Sequence, residues 1–132
     1  MVIDSSALIA ILWHEAERDS FNNAITKAPT RKMSAVTKLE CSMVAAGKRD
    51  GDVFAKVDEL LIELDITVLP FTDHHAQIAR DAFIRYGKGR HKAGLNFGDC
   101  ASYALAKAEA EPLLFKGTDF GGTDVEVVGF AA

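Results

Sequence analysis

The chain has 132 residues, of which 48% are hydrophobic and 26% charged, and its formal net charge is −4. This length predicts one domain over residues 1–132, and no apolar run reaches the roughly 20 residues that cross a bilayer. The negative charge argues against a protein that holds nucleic acid with its whole surface, although a local basic strip is compatible with it. Because the first residues also lack a signal-peptide pattern, we expect a cytoplasmic protein.

Short apolar segments alternate with segments of helical periodicity along the chain. The predicted strands cover residues 2–3, 32–36, 66–69, 113–115 and 125–128. The predicted helices cover residues 7–13, 15–27, 37–48, 53–64, 73–86 and 99–111. This alternation is typical of α/β proteins, and we expect a three-layer α/β/α fold around a central parallel sheet of four or five short strands.

Polar residues stand where two of these helices begin. We expect Ser5 or Ser6 to cap the first helix. Thr37 and Glu40 match a capping box that would open the third helix. The two cysteines of the chain are far apart and lack CxxC spacing, so we expect buried, reduced thiols and not a structural zinc site.

Four carboxylates follow the predicted strands or open a helix next to one. Asp4 comes directly after the first strand, Glu40 lies a few residues past the second, and Asp119 follows the strand at 113–115. Asp99 opens the helix that leads into that strand. Ligands of parallel α/β sheets bind beyond the carboxyl ends of the strands, so we expect these four acids to converge there.

Converging carboxylates repel one another by several kcal/mol at an effective dielectric of about 20. A hard divalent cation removes this conflict, and Mg²⁺ prefers carboxylate and water oxygens. A water activated by such a metal can attack a phosphodiester. Each acid alone also has a simpler interpretation: Glu40 as part of the capping box, Asp99 as a helix-start residue and Asp119 as a turn residue. We interpret three further acids as loop or capping residues: Asp50, Asp73 and Asp124.

A basic stretch leads directly into Asp99. It contains Arg85, Lys88, Arg90, His91 and Lys92 among several glycines. Arg and Lys supply most contacts to nucleic-acid phosphates, so we predict an RNA-binding loop of Arg85, Lys88, Arg90 and His91. The alternative is a solvated loop that keeps the protein soluble.

Four motifs carry a resemblance to a known family. They are VIDSSAL at positions 2–8, TKLE at 37–40, LNFGDC at 95–100 and LLFKGTDF at 113–120. Their order and spacing resemble those of PIN-domain nucleases over essentially the whole chain. The loop GKGRH at 87–91 is similar to that of one subgroup, the VapC toxins of bacterial toxin–antitoxin pairs.

The resemblance implies a Mg²⁺- or Mn²⁺-dependent endoribonuclease that cuts cellular RNA and is silenced by a VapB-type antitoxin. It also implies homodimers that reach operator DNA only through the antitoxin. The resemblance implies that four acids bind the metal: Asp4, Glu40, Asp99 and Asp119. Ser6 matches a hydroxyl residue of the family that orients the first acid.

The fourth motif departs from the family pattern in one place. Thr118 stands directly before Asp119, where the family often has Asn or Asp. This departure leaves two alternatives open: Asp119 binds the metal through water, or the site relies mainly on Asp4 and Asp99.

Other classes of protein fit the sequence less well. Ser5 and Ser6 follow Asp4 where a receiver domain or a haloacid-dehalogenase phosphatase needs a second acid, and no P-loop or GxGxxG motif follows the first strand. A catalytically inactive PIN-fold binding module stays open as the alternative. A second open question is whether Leu8, Leu12, Trp13 and Phe21 form core or a groove for an antitoxin segment.

Overall fold

Four short strands form the sheet of this protein. A computed structural model describes residues 1–48 and 51–130, so Asp50 lies outside the described residues. The strands are β1 (Val2–Ile3), β2 (Lys32–Ser34), β3 (Thr67–Leu69) and β4 (Leu113–Leu114). They are ordered β3-β2-β1-β4, and every pairing is parallel.

Helices connect the strands and cover the sheet. They are α1 (Ser5–Leu12), α2 (Arg18–Lys27), α3 (Ala35–Lys48), α4 (Val53–Glu63), α5 (Asp73–Tyr86) and α6 (Phe97–Glu109), and a 3₁₀ turn covers Asp119–Gly122. The α/β fold with a parallel sheet is therefore confirmed.

Two apolar clusters pack on opposite faces of the sheet. Ile3 and Leu114 belong to the cluster that includes residues of α1 to α4, whereas Val2 and Leu113 belong to the cluster that includes residues of α5 and α6. Neighbouring strand residues point to opposite faces, which produces this division. Each of the four side chains is at most 1% exposed, and burying one such side chain contributes roughly 1.5–3 kcal/mol.

The last predicted strand is not formed as an element. Val127 makes only an isolated parallel bridge with Leu113, through the Leu113 N–H to Glu126 and the Leu113 carbonyl to Val128. The prediction of a strand at 125–128 is therefore wrong. The segment forms hydrogen bonds with the N–H and the carbonyl of Leu113 alone, and one paired residue is too few for a strand. The sheet of the described residues therefore has four strands.

The two helix starts predicted from capping patterns are also wrong. The side chain of Asp4 itself caps α1 by accepting the Ser6 N–H. The helix α3 begins directly after β2, where the Ser34 hydroxyl accepts the Val36 N–H at 3.2 Å. Thr37 and Glu40 thus lie inside the helix, and their side chains are available for other contacts.

Other predictions about the core have mixed outcomes. Cys41 and Cys100 are free and buried, as expected. Leu8 and Phe21 belong to the core, whereas Leu12 and Trp13 are partly buried. Leu12 and Trp13 line a groove of about 570 Å³ between α1, α2 and α4.

None of the helices in the described part of the chain is long and apolar enough to span a membrane.

Candidate active site

The parallel sheet places acidic residues at the carboxyl ends of its strands. Asp4 directly follows β1, and its N–H donates to the Leu114 carbonyl at 2.9 Å. Glu40 lies on α3, which begins where β2 ends, and Asp99 lies in the first turn of α6. Asp119 opens the 3₁₀ turn that follows β4 and is exposed.

The carboxylate of Asp4 is 3% exposed and has three hydrogen-bond donors. Its Oδ2 atom accepts the Ser6 hydroxyl at 2.7 Å and the Ser6 N–H at 3.1 Å. Its Oδ1 atom accepts the Ser102 hydroxyl at 2.6 Å. The Ser6 oxygen in turn accepts the Lys116 N–H at 2.9 Å. These bonds satisfy the buried carboxylate and hold it in one orientation.

Glu40 contacts two other parts of the site. Its Oε1 atom accepts the Ser5 hydroxyl at 2.6 Å. Its carboxylate also lies directly against Gly98, where an added Cβ would come within 2.1 Å of Oε2. Burial raises the pKa of Glu40, the Ser5 hydrogen bond opposes this, and the charge of Asp4 raises it further.

Asp99 and Asn96 form a capping box at the start of α6. The Asn96 Oδ1 atom accepts the Asp99 N–H at 2.9 Å, and the Asp99 Oδ2 atom accepts the Asn96 N–H at 3.0 Å. Burial raises the pKa of Asp99 to about 6, against the effect of the Asn96 hydrogen bond. The negative charges of three acids add to this rise: Asp4, Asp119 and Glu40. Asp99 therefore lies within the electrostatic range of the other three predicted acids.

The side chains fit a hydrated cation better than a closed metal cage. Within residues 1–48 and 51–130, no group of three or more His, Cys, Asp or Glu side chains is close enough to hold a metal ion. Mg²⁺ commonly keeps several waters and takes only one or two carboxylates directly. Carboxylate oxygens that repel one another suit such an ion, and Asp4 and Asp99 could hold it because the charge of Asp4 acts on Asp99.

The predicted basic loop divides into two groups. Arg85 faces Asp124 at 3.8 Å and lies over the Tyr86 ring, so its charge is partly neutralised. Lys88 and Arg90 are exposed, and the Arg90 guanidinium lies 5.8 Å from the centre of the Phe83 ring. Lys92 is exposed as well, so Arg85 differs from the other exposed cations of this stretch in facing a carboxylate and not in its exposure.

The loop adjoins both acid-bearing segments next to it. Its last residues lead into Asn96 and α6, whose first turn holds Asp99. A Cβ added to Gly122, in the turn opened by Asp119, would lie 3.5 Å from the Ala93 side chain and 3.9 Å from the His91 ring. The loop therefore adjoins the segments that carry Asp99 and Asp119.

Sequence reasoning missed several residues of this site. The capping-box pattern assigns Thr37 to a helix start, and no pattern assigns Ser102 or Gly98 to the site. A usable signal existed for Ser102, because it follows Asp99 by one helical turn and so shares its face of α6. The role of Gly98 has no such signal, since it depends on a side chain from another helix.

Comparison with known proteins places the chain in a family. The PIN domain family matches residues 1–126. The chain is 46% identical over 127 residues to Ribonuclease VapC28 of Mycobacterium tuberculosis, covering 96% of each chain. This is a VapC-type PIN domain. It is also 44% identical over 128 residues to Ribonuclease VapC of Mycolicibacterium smegmatis, covering 97% of this chain and 99% of the relative.

Solved structures share the PIN fold of this chain. The crystal structure of Mycobacterium tuberculosis VapC20, described as a Sarcin-Ricin loop cleaving toxin, superposes with a TM-score of 0.77 at 15% identity, covering 96% of this chain and 97% of VapC20. VapBC2 from Rickettsia felis, bound to a DNA fragment from its promoter, gives a TM-score of 0.76 at 12% identity, covering 97% and 96%. At these identities the comparison concerns the fold alone, and it confirms the predicted PIN-like architecture.

Proposed function

We propose that this PIN domain is a Mg²⁺-dependent endoribonuclease toxin of a type II toxin–antitoxin pair. The observation that carries the proposal is the placement of Asp4, Glu40, Asp99 and Asp119 in segments that follow the carboxyl ends of the parallel strands or open α6 beside them. Full-length relatives named as VapC ribonucleases support the same activity. Acids placed in this way would offer hard oxygen ligands to a hydrated cation, which phosphodiester chemistry requires.

Each acid has a distinct task in this proposal. Asp4 and Asp99 would hold the cation, and a bound cation would supply an activated water and neutralise charge on the phosphate. Glu40 orients water beside them from its position against Gly98, and Ser6 orients Asp4. Asp119, being exposed, contributes its charge at the entrance of the site.

The basic loop supplies the contact with the RNA backbone. Lys88 and Arg90 are exposed cations of this loop, Arg85 at the end of α5 faces Asp124, and His91 is partly buried. Cationic side chains bind phosphates without reading sequence, so the loop positions the RNA over the acids without selecting a base.

Incubation of the purified chain with RNA tests the activity. We expect cleavage with Mg²⁺ or Mn²⁺ that leaves a 3′-hydroxyl and a 5′-phosphate, and none with excess EDTA. The Asp4→Asn variant should be inactive, whereas the matched control Asp73→Asn, at the exposed start of α5, should cleave like the parent. Cleavage that survives EDTA would contradict the proposal. A chain that neither cleaves RNA nor binds Mn²⁺ in calorimetry would instead be the inactive binding module.

The same proposal includes a VapB-type antitoxin as partner, homodimers of this chain, and contact with operator DNA through the antitoxin. Structural neighbours described as a toxin–antitoxin complex from Klebsiella pneumoniae and as VapBC2 with promoter DNA support the antitoxin partner and the contact with DNA. An arginine of the antitoxin would relieve the repulsion among the acids by a charge-assisted fork. Changing Asp4 and Asp99 together to Asn should then weaken antitoxin binding, and equal binding would exclude direct insertion at the acids.

A further inference from the structure

A row of buried hydroxyl groups leads from the interior of the protein to Asp4. The Ser102 hydroxyl donates to Asp4 Oδ1 at 2.6 Å, and the Thr37 and Ser102 oxygens are 3.2 Å apart. We infer that Ser102, held by Thr37, is a positioning residue that determines which Asp4 oxygen is presented to the cation. This inference rests on the proposed metal-dependent activity and deepens it.

The direction of these hydrogen bonds follows from counting protons. An ionised carboxylate only accepts hydrogen bonds, so the single hydroxyl proton of Ser102 is donated to Asp4. Thr37 must then be the donor in its bond with Ser102. The row therefore runs from Thr37 through Ser102 to Asp4, and each bond polarises and strengthens the next.

The same counting identifies the oxygen that faces the cation. A carboxylate has about four acceptor positions, two on each oxygen. Ser6 occupies both positions on Oδ2 with its N–H and its hydroxyl, whereas Ser102 occupies one on Oδ1. The one acceptor position left for the cation is therefore on Oδ1, the oxygen that accepts the Ser102 hydroxyl.

The row also joins the helices that carry the other acids. Thr37 and Glu40 are one turn apart on α3, and Asp99 and Ser102 are one turn apart on α6, so each pair shares a helix face. The hydroxyl row thereby links both helices to Asp4. Thr37 and Ser102 are fully buried, so bulk water does not contact their hydroxyl groups.

Metal binding, measured by calorimetry with Mn²⁺ on the full chain, tests this inference. We expect Ser102→Ala to weaken Mn²⁺ binding by about tenfold or more, the range found when a partner that orients a ligand is removed. Thr37→Val, which keeps the shape but removes the donor, should weaken it less, and Thr37→Ser should restore it. Ser34→Ala is the matched control, since Ser34 is equally buried and its hydroxyl instead accepts the Val36 N–H.

A double-variant cycle separates positioning from general destabilisation. If Thr37 acts through Ser102, Thr37→Val should have no further effect on Mn²⁺ affinity in the Ser102→Ala background. The inference is overturned if Ser102→Ala binds Mn²⁺ like the parent or like Ser34→Ala, or if Thr37→Val costs the same in both backgrounds. If Ser102→Ala does not fold, Thr37→Val against Thr37→Ser decides, and equal affinities overturn the inference. A parent that binds no Mn²⁺ overturns the proposed function itself, which is a different result.

Discussion

Gly98 makes room for the carboxylate of Glu40 at the start of α6. A methyl group there would overlap Glu40 Oε2, Oε1 and the carboxyl carbon, all within 2.5 Å of the added Cβ. Gly98→Ala should therefore displace Glu40 and reduce cleavage by about tenfold or more, since small misplacements of catalytic groups cost as much. RNA cleavage under single-turnover conditions measures this.

Gly47 provides the matched control for that change. It lies in α3, and an added Cβ would meet no atom within 4 Å. Gly47→Ala should leave cleavage unchanged and stabilise the helix by up to about 1 kcal/mol. Full activity of Gly98→Ala would mean that the position of Glu40 is not needed for the reaction.

Asp99 links the site to the pH dependence of stability. Its pKa is about 6 in the folded protein, against the ordinary value of 3.8. Between these values the folded chain holds a proton that the unfolded chain has released, so the stability of the metal-free protein falls as pH rises through this window. Asp99→Asn should remove this part of the slope and stabilise the metal-free protein above pH 6 by about 1 kcal/mol or more after solvent screening.

Thermal melts at several pH values, with EDTA and with Mg²⁺, check this expectation. Mg²⁺ should raise the melting temperature of the parent, because it binds the folded state, and should raise that of Asp99→Asn much less. The slope that comes from the raised pKa of Glu40 should persist in the variant. Identical Mg²⁺ shifts in the two proteins would remove Asp99 from the site.

At the scale of elements, the loop between α5 and α6 carries cations with different surroundings. Arg90 is exposed beside Phe83, whereas Arg85 faces Asp124. Arg90→Ala should weaken RNA binding several-fold and lower its salt dependence, because one phosphate contact is lost. Mn²⁺ affinity should stay at the parental value.

Arg85→Ala is the comparison variant for this loop. Its effect on RNA binding should be smaller than that of Arg90→Ala, because Asp124 already neutralises part of its charge. RNA affinity by filter binding at several salt concentrations and Mn²⁺ affinity by calorimetry give both measurements. Equal loss of RNA and metal binding in Arg90→Ala would indicate a structural loop instead.

At the scale of the whole molecule, the edge of the sheet opposite the acids contains a second charge cluster. Glu111 precedes β4 there and pairs with the Met1 amine at 3.0 Å and with Lys32 Nζ at 2.8 Å. Burial alone would raise the pKa of Glu111, but hydrogen bonds from Lys32, Thr30 and the Met1 amine lower it to about 2. This cluster joins the starts of β1, β2 and β4.

Glu111→Gln should lower stability without lowering cleavage. The pKa of Glu111 is below its ordinary value of 4.5, so its contribution is present above pH 4.5 and is lost as pH falls towards 2. We expect a loss on the order of 1 kcal/mol at pH 7 and a flatter acid-unfolding curve. Urea unfolding from pH 7 to pH 2 measures it, with exposed Glu126→Gln as the control. Unchanged stability of Glu111→Gln would show that the cluster contributes nothing net.

Local patterns predicted the order of the elements and the acids that end or follow them. Apolar periodicity and strand ends are read from neighbouring residues, so the parallel sheet and the placement of Asp4 after β1 needed no tertiary information. The same local reasoning failed for Thr37 and Glu40, which match a capping box. Ser34 starts the helix earlier, so both side chains contact other elements instead.

The sequence by itself therefore determined the fold class and the placement of the four acids after the strands or at the start of α6, because both follow from short-range periodicity and from the topology of parallel sheets. Only the tertiary structure decided what holds each acid. The Ser102 hydroxyl donates to Asp4, and the Glu40 carboxylate lies against Gly98 of another helix. Arg85 forms an ion pair with Asp124. These contacts join residues far apart in the chain, and their distances depend on how the helices pack, which no local pattern encodes.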